Sequence, residues 1–232
     1  MKWIVEKSIG ELKKAVTKEA WYVEDILRLT SEAFKERKIE TAKIVEERCW
    51  DVYNEYLNIV RGSQIIVGTC NPEGYALRFL FGSVLVSKIL LDASSRLKDI
   101  SDDIKMLVKE PEMNQSAMVP EMFSFVQKMM RRALRVYVDQ NIEGAQGICS
   151  QDAFMDEMFL KFKDEIITLI QNNPRVVKRG LLLMDISKAL EEICDFAVQI
   201  IEITFYILTG KNYTCYGHQF QLFSVDVFKN MD

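Results

Sequence analysis

Four prolines in 232 residues, each at the edge of a helical pattern, constrain the fold of this chain more than any other feature. Proline lacks a backbone N–H and clashes with the preceding turn, so it marks where helices stop or begin. Around Pro72, Pro111, Pro120 and Pro174, apolar residues recur at spacings of three and four, the period of a helix with one buried face. The pattern predicts six helices over 4–36, 39–66, 75–109, 122–139, 142–171 and 175–208, and leaves no convincing strand pattern. Long helices joined by short loops lie antiparallel to their sequence neighbours, so the expected class is all-α, two tandem three-helix bundles. The expected units are a first bundle over 1–112, a second over 113–210 and a C-terminal tail over 211–232.

Composition narrows the function. The chain is 49% hydrophobic and 28% charged, which belongs to the soluble globular class. Thirty Lys and Arg against thirty-four Asp and Glu give a net charge of −4, and no basic block interleaves with aromatics, so nucleic acid is excluded as an expected partner. Cys49, Cys70, Cys149, Cys194 and Cys215 are scattered, odd in number and contain no CxxC. Neither a disulfide framework nor a thiolate zinc site is expected from them, and a reducing cytoplasm fits. The opening MKWIVEKSIGELKK lacks the apolar core of a signal peptide. The most apolar stretch, 75–91, is interrupted by Arg78, Ser83, Ser87 and Lys88, and reads as a buried bundle helix, not a membrane span.

The stretch LEEICDFAVQIIE, 190–202, carries the chemistry. Glu191, Asp195, Gln199 and Glu202 recur at steps of four, four and three, so they share one stripe of a helix. From Ala189 through Gly210 there is no Lys or Arg, although solvated helices commonly pair acids with bases three or four residues away. The plain alternative is a solvent-facing stripe, since like charges at this spacing cost only about 0.2–0.5 kcal/mol per pair. A missing countercharge invites a cation.

An internal repeat turns the stripe into a constellation. Glu47 and Asp51 on the second helix reappear as Asp152 and Asp156 on the fifth, displaced by 105 positions (152 − 47, 156 − 51). Ser95, Asp99 and Asp103 on the third helix correspond to Glu191, Asp195 and Gln199 on the sixth, displaced by 96 (191 − 95), with Asn71-Pro72 and Asn173-Pro174 turning the chain between. Each half therefore presents acids four residues apart on consecutive antiparallel helices. Such converging oxygens suit hard cations: iron(III), manganese, magnesium or calcium.

Catalytic motifs are missing. No glycine-rich phosphate loop, G-x-S-x-G elbow or spaced Cys–His pair occurs. A carboxylate-bridged di-iron oxidase would supply Glu-x-x-His motifs from two helices, whereas this chain has one histidine, His218. It lies beyond the last predicted helix, far in sequence from every acidic motif, and is expected to be a tail residue and not a ligand. The basic run Lys128, Arg131, Arg132 and Arg135 reads as a solvated helix face, and the eleven methionines as core filler.

The residues resemble a known family. Glu191-x-x-x-Asp195 followed by Gln199-Ile200-x-Glu202 and the close Phe205-Tyr206-x-x-x-Gly210 is similar to the C-terminal signature of the PhoU family of phosphate-transport and phosphate-signalling regulators, whose usual form reads E-R-I-G-D-x-x-x-N-I-x-E. Asp152-x-x-x-Asp156 stands where that family has its acidic motif on the preceding helix. The resemblance spans nearly the whole chain. It implies two three-helix bundles, metal ions on the acidic motifs with multinuclear iron foremost, and a homodimer. It also implies a cytoplasmic, non-enzymatic negative regulator of phosphate homeostasis that contacts a phosphate ABC transporter and a sensor histidine kinase, with no nucleic acid and no membrane insertion.

The expected metal residues are Asp152, Asp156, Glu191, Asp195 and Glu202 in the second half and Glu47, Asp51, Asp99 and Asp103 in the first. Two departures stand out: Ser95 replaces the family's glutamate and Gln199 its asparagine. Gln199 keeps an amide oxygen, whereas Ser95 loses charge and reach, so the first site is expected to be the weaker. Alternatives are a carboxylate-bridged hydrolase or oxidase, and a metal-free helical scaffold.

Overall fold

The computed structural model describes residues 2–223, with side chains from Val5 onward. Six helices follow one another: α1 Lys2–Glu36, α2 Ile39–Cys70, α3 Gly74–Leu107, α4 Val119–Asp139, α5 Ile148–Asn172 and α6 Val177–Thr209. Helices α1, α2 and α3 pack as one bundle and α4, α5 and α6 as a second, and the two join along α3 against α6 and α1 against α4. The fold is all-α, two three-helix bundles, as the periodicity requires.

The boundaries follow from local chemistry. Asn71 and Gln140 end α2 and α4 in the left-handed conformation, and Gly210 ends α6 at φ 71, the usual way a helix turns off its axis. Asn173 accepts a hydrogen bond from the Arg175 amide at 3.3 Å and so opens the turn into α6. Arginines satisfy two helix C-termini that would otherwise leave carbonyls unpaired: Arg37 donates to the carbonyls of Leu107, Val108 and Glu110, and Arg78 to that of Ile207. Helix α5 begins at Ile148, not at 142. Gly144 at φ 70 diverts the chain first, and Arg132 holds its carbonyl at 2.7 Å.

Helix α3 is apolar enough to pass for a membrane span, yet it lies between α1, α2 and α6. Its hydrophobicity is that of a helix shared by two bundles. Six methionines, among them Met122, Met129, Met130 and Met155, are buried in the core.

The α3–α6 crossing needs a glycine. A Cβ on Gly82 would stand 2.5 Å from both Cγ1 and Cδ1 of Ile207, itself fully buried. Alanine in a helix ordinarily gains about 1 kcal/mol over glycine. At Gly82 the overlap reverses that sign, since overpacking costs about 1–3 kcal/mol. Gly82→Ala is therefore expected to lower the unfolding midpoint in urea, and an unchanged or raised midpoint would show that Ile207 has room to move.

The tail is not structureless. Strands β1 Asn212–Tyr216 and β2 Gln219–Phe223 form an antiparallel hairpin with Tyr216 opposite Gln219. Gly217 and His218 make the two-residue turn with φ 57 and 61, the paired positive angles that match strand twist. Tyr213, Cys215 and Phe220 face the helices, and the rings of Tyr213 and Phe220 close on Phe205 of α6 at 5.2 and 4.7 Å. The expectation of no strand is corrected by this short element, which is built on the body of α5 and α6.

Candidate metal centre

Helices α5 and α6 place the second-half acids side by side. Asp152, one turn into α5, is 8% exposed, and its Oδ1 has no hydrogen-bond partner. Burial, and then the charges of Asp195, Asp156 and Glu191, push its carboxyl up to about 7. Asp195 is pushed up to about 6 by burial, Glu191 and Asp156, against the opposing Lys188. These four carboxylates share one electrostatic site. A buried, unpartnered carboxylate among other carboxylates is unfavourable unless a proton or a cation resolves it.

Two second-half residues stand apart. Glu202 is committed to the hairpin, where its Oε1 accepts from the Thr214 hydroxyl at 3.1 Å and the Cys215 amide at 2.6 Å. Gln199 is exposed. The countercharge missing from 189–210 is supplied from one residue outside it, since Lys188 pairs with Glu191 and reaches over the Phe159 ring. Behind the cluster Cys194 is buried, and burial with the surrounding acids holds its thiol well above the usual range. It stays protonated.

The hairpin overturns two expectations. His218 is not remote from the acids: among the described residues, Asp152, Asp156 and His218 are the group whose ligand atoms all lie within 4.8 Å of one another. Sequence distance misled because the hairpin folds back across α5. The same fold-back joins Cys149, buried at the start of α5, to Cys215 of β1 in a disulfide with Cα atoms 5.8 Å apart. The scattered cysteines thus include one bonded pair separated by 66 residues.

The first half is arranged differently. Glu47 and Asp99 are exposed, Asp51 pairs with Arg48 at 3.5 Å and Asp99 with Arg96 at 3.4 Å. Asp102 takes both Lys98 and Lys105, whose hydrogen bonds outweigh burial and hold its carboxyl below the usual range. Asp103 is pushed up to about 6 by burial and by Asp185 of α6, then Asp99 and Asp102. The Ser95 hydroxyl is turned back to the Leu91 carbonyl at 3.1 Å.

Two three-helix bundles share a long α3–α6 seam, with carboxylates gathered on the neighbouring helices α5 and α6. Residues 119–204 match the PhoU domain family. The chain is 27% identical over 225 residues, 96% of its length and 95% of the relative's, to the phosphate-specific transport system accessory protein PhoU homolog 2 of Thermotoga maritima. It is 24% identical to the PhoU homolog of Clostridium acetobutylicum over 81% of this chain and 83% of that one. The crystal structure of PhoU from Pseudomonas aeruginosa superposes with a TM-score of 0.85 at 20% identity, over 88% of this chain and 99% of the other. The regulatory protein PhoU from Streptococcus pneumoniae superposes at 0.77 and 17% identity, over 89% and 97%. Residues 119–204 thus carry a match to the PhoU domain, and the chain is similar to PhoU homologs over nearly its whole length.

Proposed function

We propose that this chain regulates phosphate uptake and represses phosphate-starvation genes as a metal-bound cytoplasmic homodimer, through contacts with the phosphate ABC transporter and a sensor histidine kinase. The observation that carries the metal is Asp152: nine-tenths buried, one oxygen unpartnered, facing Asp156, Asp195 and Glu191. The residues fit a cation held by oxygen ligands, iron in the first place. Asp152, Asp156, Glu191 and Asp195 would hold it, with Glu202 steadying the hairpin beside them. Glu47, Asp51, Asp99 and Asp103 form the weaker site. Bound metal neutralises the cluster and locks α5 to α6.

Protein contacts have surface to use. Phe81 and Val67 stand exposed beside a groove of about 410 Å³ between α2 and α3, lined also by Val60, Leu80 and Val84. Exposed apolar surface of this kind commonly serves association. In a reducing cytoplasm the Cys149–Cys215 bond would be one that opens and closes, and the Phe205, Tyr213 and Phe220 cluster with Glu202 holds the hairpin without it.

The test is genetic and chemical together. Deleting the gene is expected to raise starvation-gene expression at high phosphate. The wild-type chain should restore repression, and an Asp152→Ala, Asp195→Ala chain should restore it poorly. Expression and uptake that ignore the deletion would remove the proposed role.

A further inference from the structure

Resting on that metal reading, we propose that His218 is itself a ligand, completing with Asp152 and Asp156 a site of one imidazole and two carboxylates that selects a divalent first-row transition ion over Mg²⁺ or Ca²⁺. The three ligand atoms lie within 4.8 Å of one another. Donors bound to one ion at about 2.1 Å stand about 3–4 Å apart, so modest side-chain rotation closes the set. Asp152 brings to it the buried oxygen that no other group satisfies.

The hairpin is built to hold this histidine in place. Cys215 is bonded to Cys149, three residues before Asp152, while Glu202 grips Thr214 and the Cys215 amide. Tyr213 and Phe220 wedge against Phe205. These three attachments fix the turn over the N-terminal part of α5. Position 218 has φ 61, a left-handed turn conformation that histidine, like asparagine, adopts more readily than most residues.

Ligand chemistry sets the ion. Carboxylate oxygens alone serve Mg²⁺ and Ca²⁺, whereas a neutral imidazole favours zinc, iron, nickel or copper. The first-half acids have no histidine, since the chain contains one. Only the second-half site can make this distinction.

The same single histidine gives a clean readout. The untagged full chain, stripped with chelator, is titrated calorimetrically with Zn²⁺ and separately with Mg²⁺, as wild type, His218→Gly and Asp156→Ala. Glycine keeps the turn's positive φ, so the hairpin persists, and Tyr213 and Phe220 ring shifts verify it. We expect His218→Gly to weaken Zn²⁺ binding by about tenfold or more, the scale on which even outer-sphere partners of a metal site act. Mg²⁺ binding should change by less than about twofold, because oxygen ligands dominate it. The lone imidazole resonances should shift with Zn²⁺ in the wild type and stay put with Mg²⁺. If wild type binds Zn²⁺ with its imidazole signals unmoved, while Asp156→Ala loses the ion and His218→Gly keeps it, the ligand role is overturned and the acidic site stands. If wild type binds neither ion, the metal reading fails and this inference with it.

Discussion

Removing Asp156 and Asp195 together is expected to strip the protein of metal, whereas removing Asp99 and Asp103 should cost it little. Both pairs are i, i+4 acids or their partners across a helix seam, so sequence spacing alone would treat them nearly alike. Their surroundings differ. A cation entering the first half must displace Arg48 from Asp51, Arg96 from Asp99, and Lys98 and Lys105 from Asp102. In the second half one base, Lys188, stands against Asp152, Asp156, Glu191 and Asp195. Exposed pairs are individually worth about 0–1 kcal/mol, but a cation faces several at once and gains fewer free oxygens. Ser95, bonded to the Leu91 carbonyl, does not supply one. Asp102, two turns beyond Ser95, is occupied by its two lysines and cannot substitute. Metal affinity, read from metal per chain after equal dialysis, should fall by about 100-fold for Asp156→Ala with Asp195→Ala, the upper end of the 10–100-fold typical of outer-sphere changes. Greater loss from Asp99→Ala with Asp103→Ala, in a chain that stays helical, would reverse this ranking of the halves.

That asymmetry shows where sequence reading reaches and where it stops. The helices were legible because Pro72, Pro120 and Pro174 stand at their ends and the apolar period is unbroken between them. Helix α3 was legible as a core helix because Arg78 and Lys88 interrupt its apolar run. Ser95 was legible as a missing ligand, and the stronger reason for a weak first site, four bases three or four residues from its acids on the same helices, is legible as spacing, while which pairs close depends on rotamers. Lys188 stands one residue outside the base-free stretch 189–210, and its pairing with Glu191 is set by the helix turn that brings the two together. The hairpin was hidden for a different reason: two five-residue strands joined by Gly217-His218 lack the Asn-Gly or Asp-Gly signal of such turns. With the hairpin went both His218 and the Cys149–Cys215 pair, because cysteine pairing cannot be deduced from spacing. In sequence, His218 is sixty-odd residues from the acids that the fold sets beneath it.

A second large effect is expected in the first bundle, at a residue with no part in the metal site. Glu19 of α1 is fully buried, and neither of its carboxylate oxygens has a hydrogen-bond partner. The Ser87 hydroxyl on α3 is likewise unpartnered. Burial pushes the Glu19 carboxyl up to about 9, with the charge of Glu55 adding to the rise and nearby Ser87 opposing it. The folded protein therefore holds a proton at Glu19 that the unfolded chain, with an ordinary value of 4.5, releases near neutrality. Because the folded state binds more protons across that window, stability is greatest below about 4.5 and falls as pH rises toward 9. The slope is about 1.4 kcal/mol per pH unit, so this one group should remove about 3 kcal/mol between pH 5 and pH 7. Lys18 cannot relieve it, since it already pairs with Glu55 at 2.8 Å. Urea unfolding of wild type and Glu19→Gln at pH 5, 6, 7 and 8 isolates the effect from other acids, which both chains share. The wild-type curve should descend more steeply by that amount, and Glu19→Met, which removes the polar group altogether, should be the more stable chain at pH 7. Parallel curves for wild type and Glu19→Gln would mean that Glu19 is ionised in the fold, held by a partner or by water that satisfies its charge.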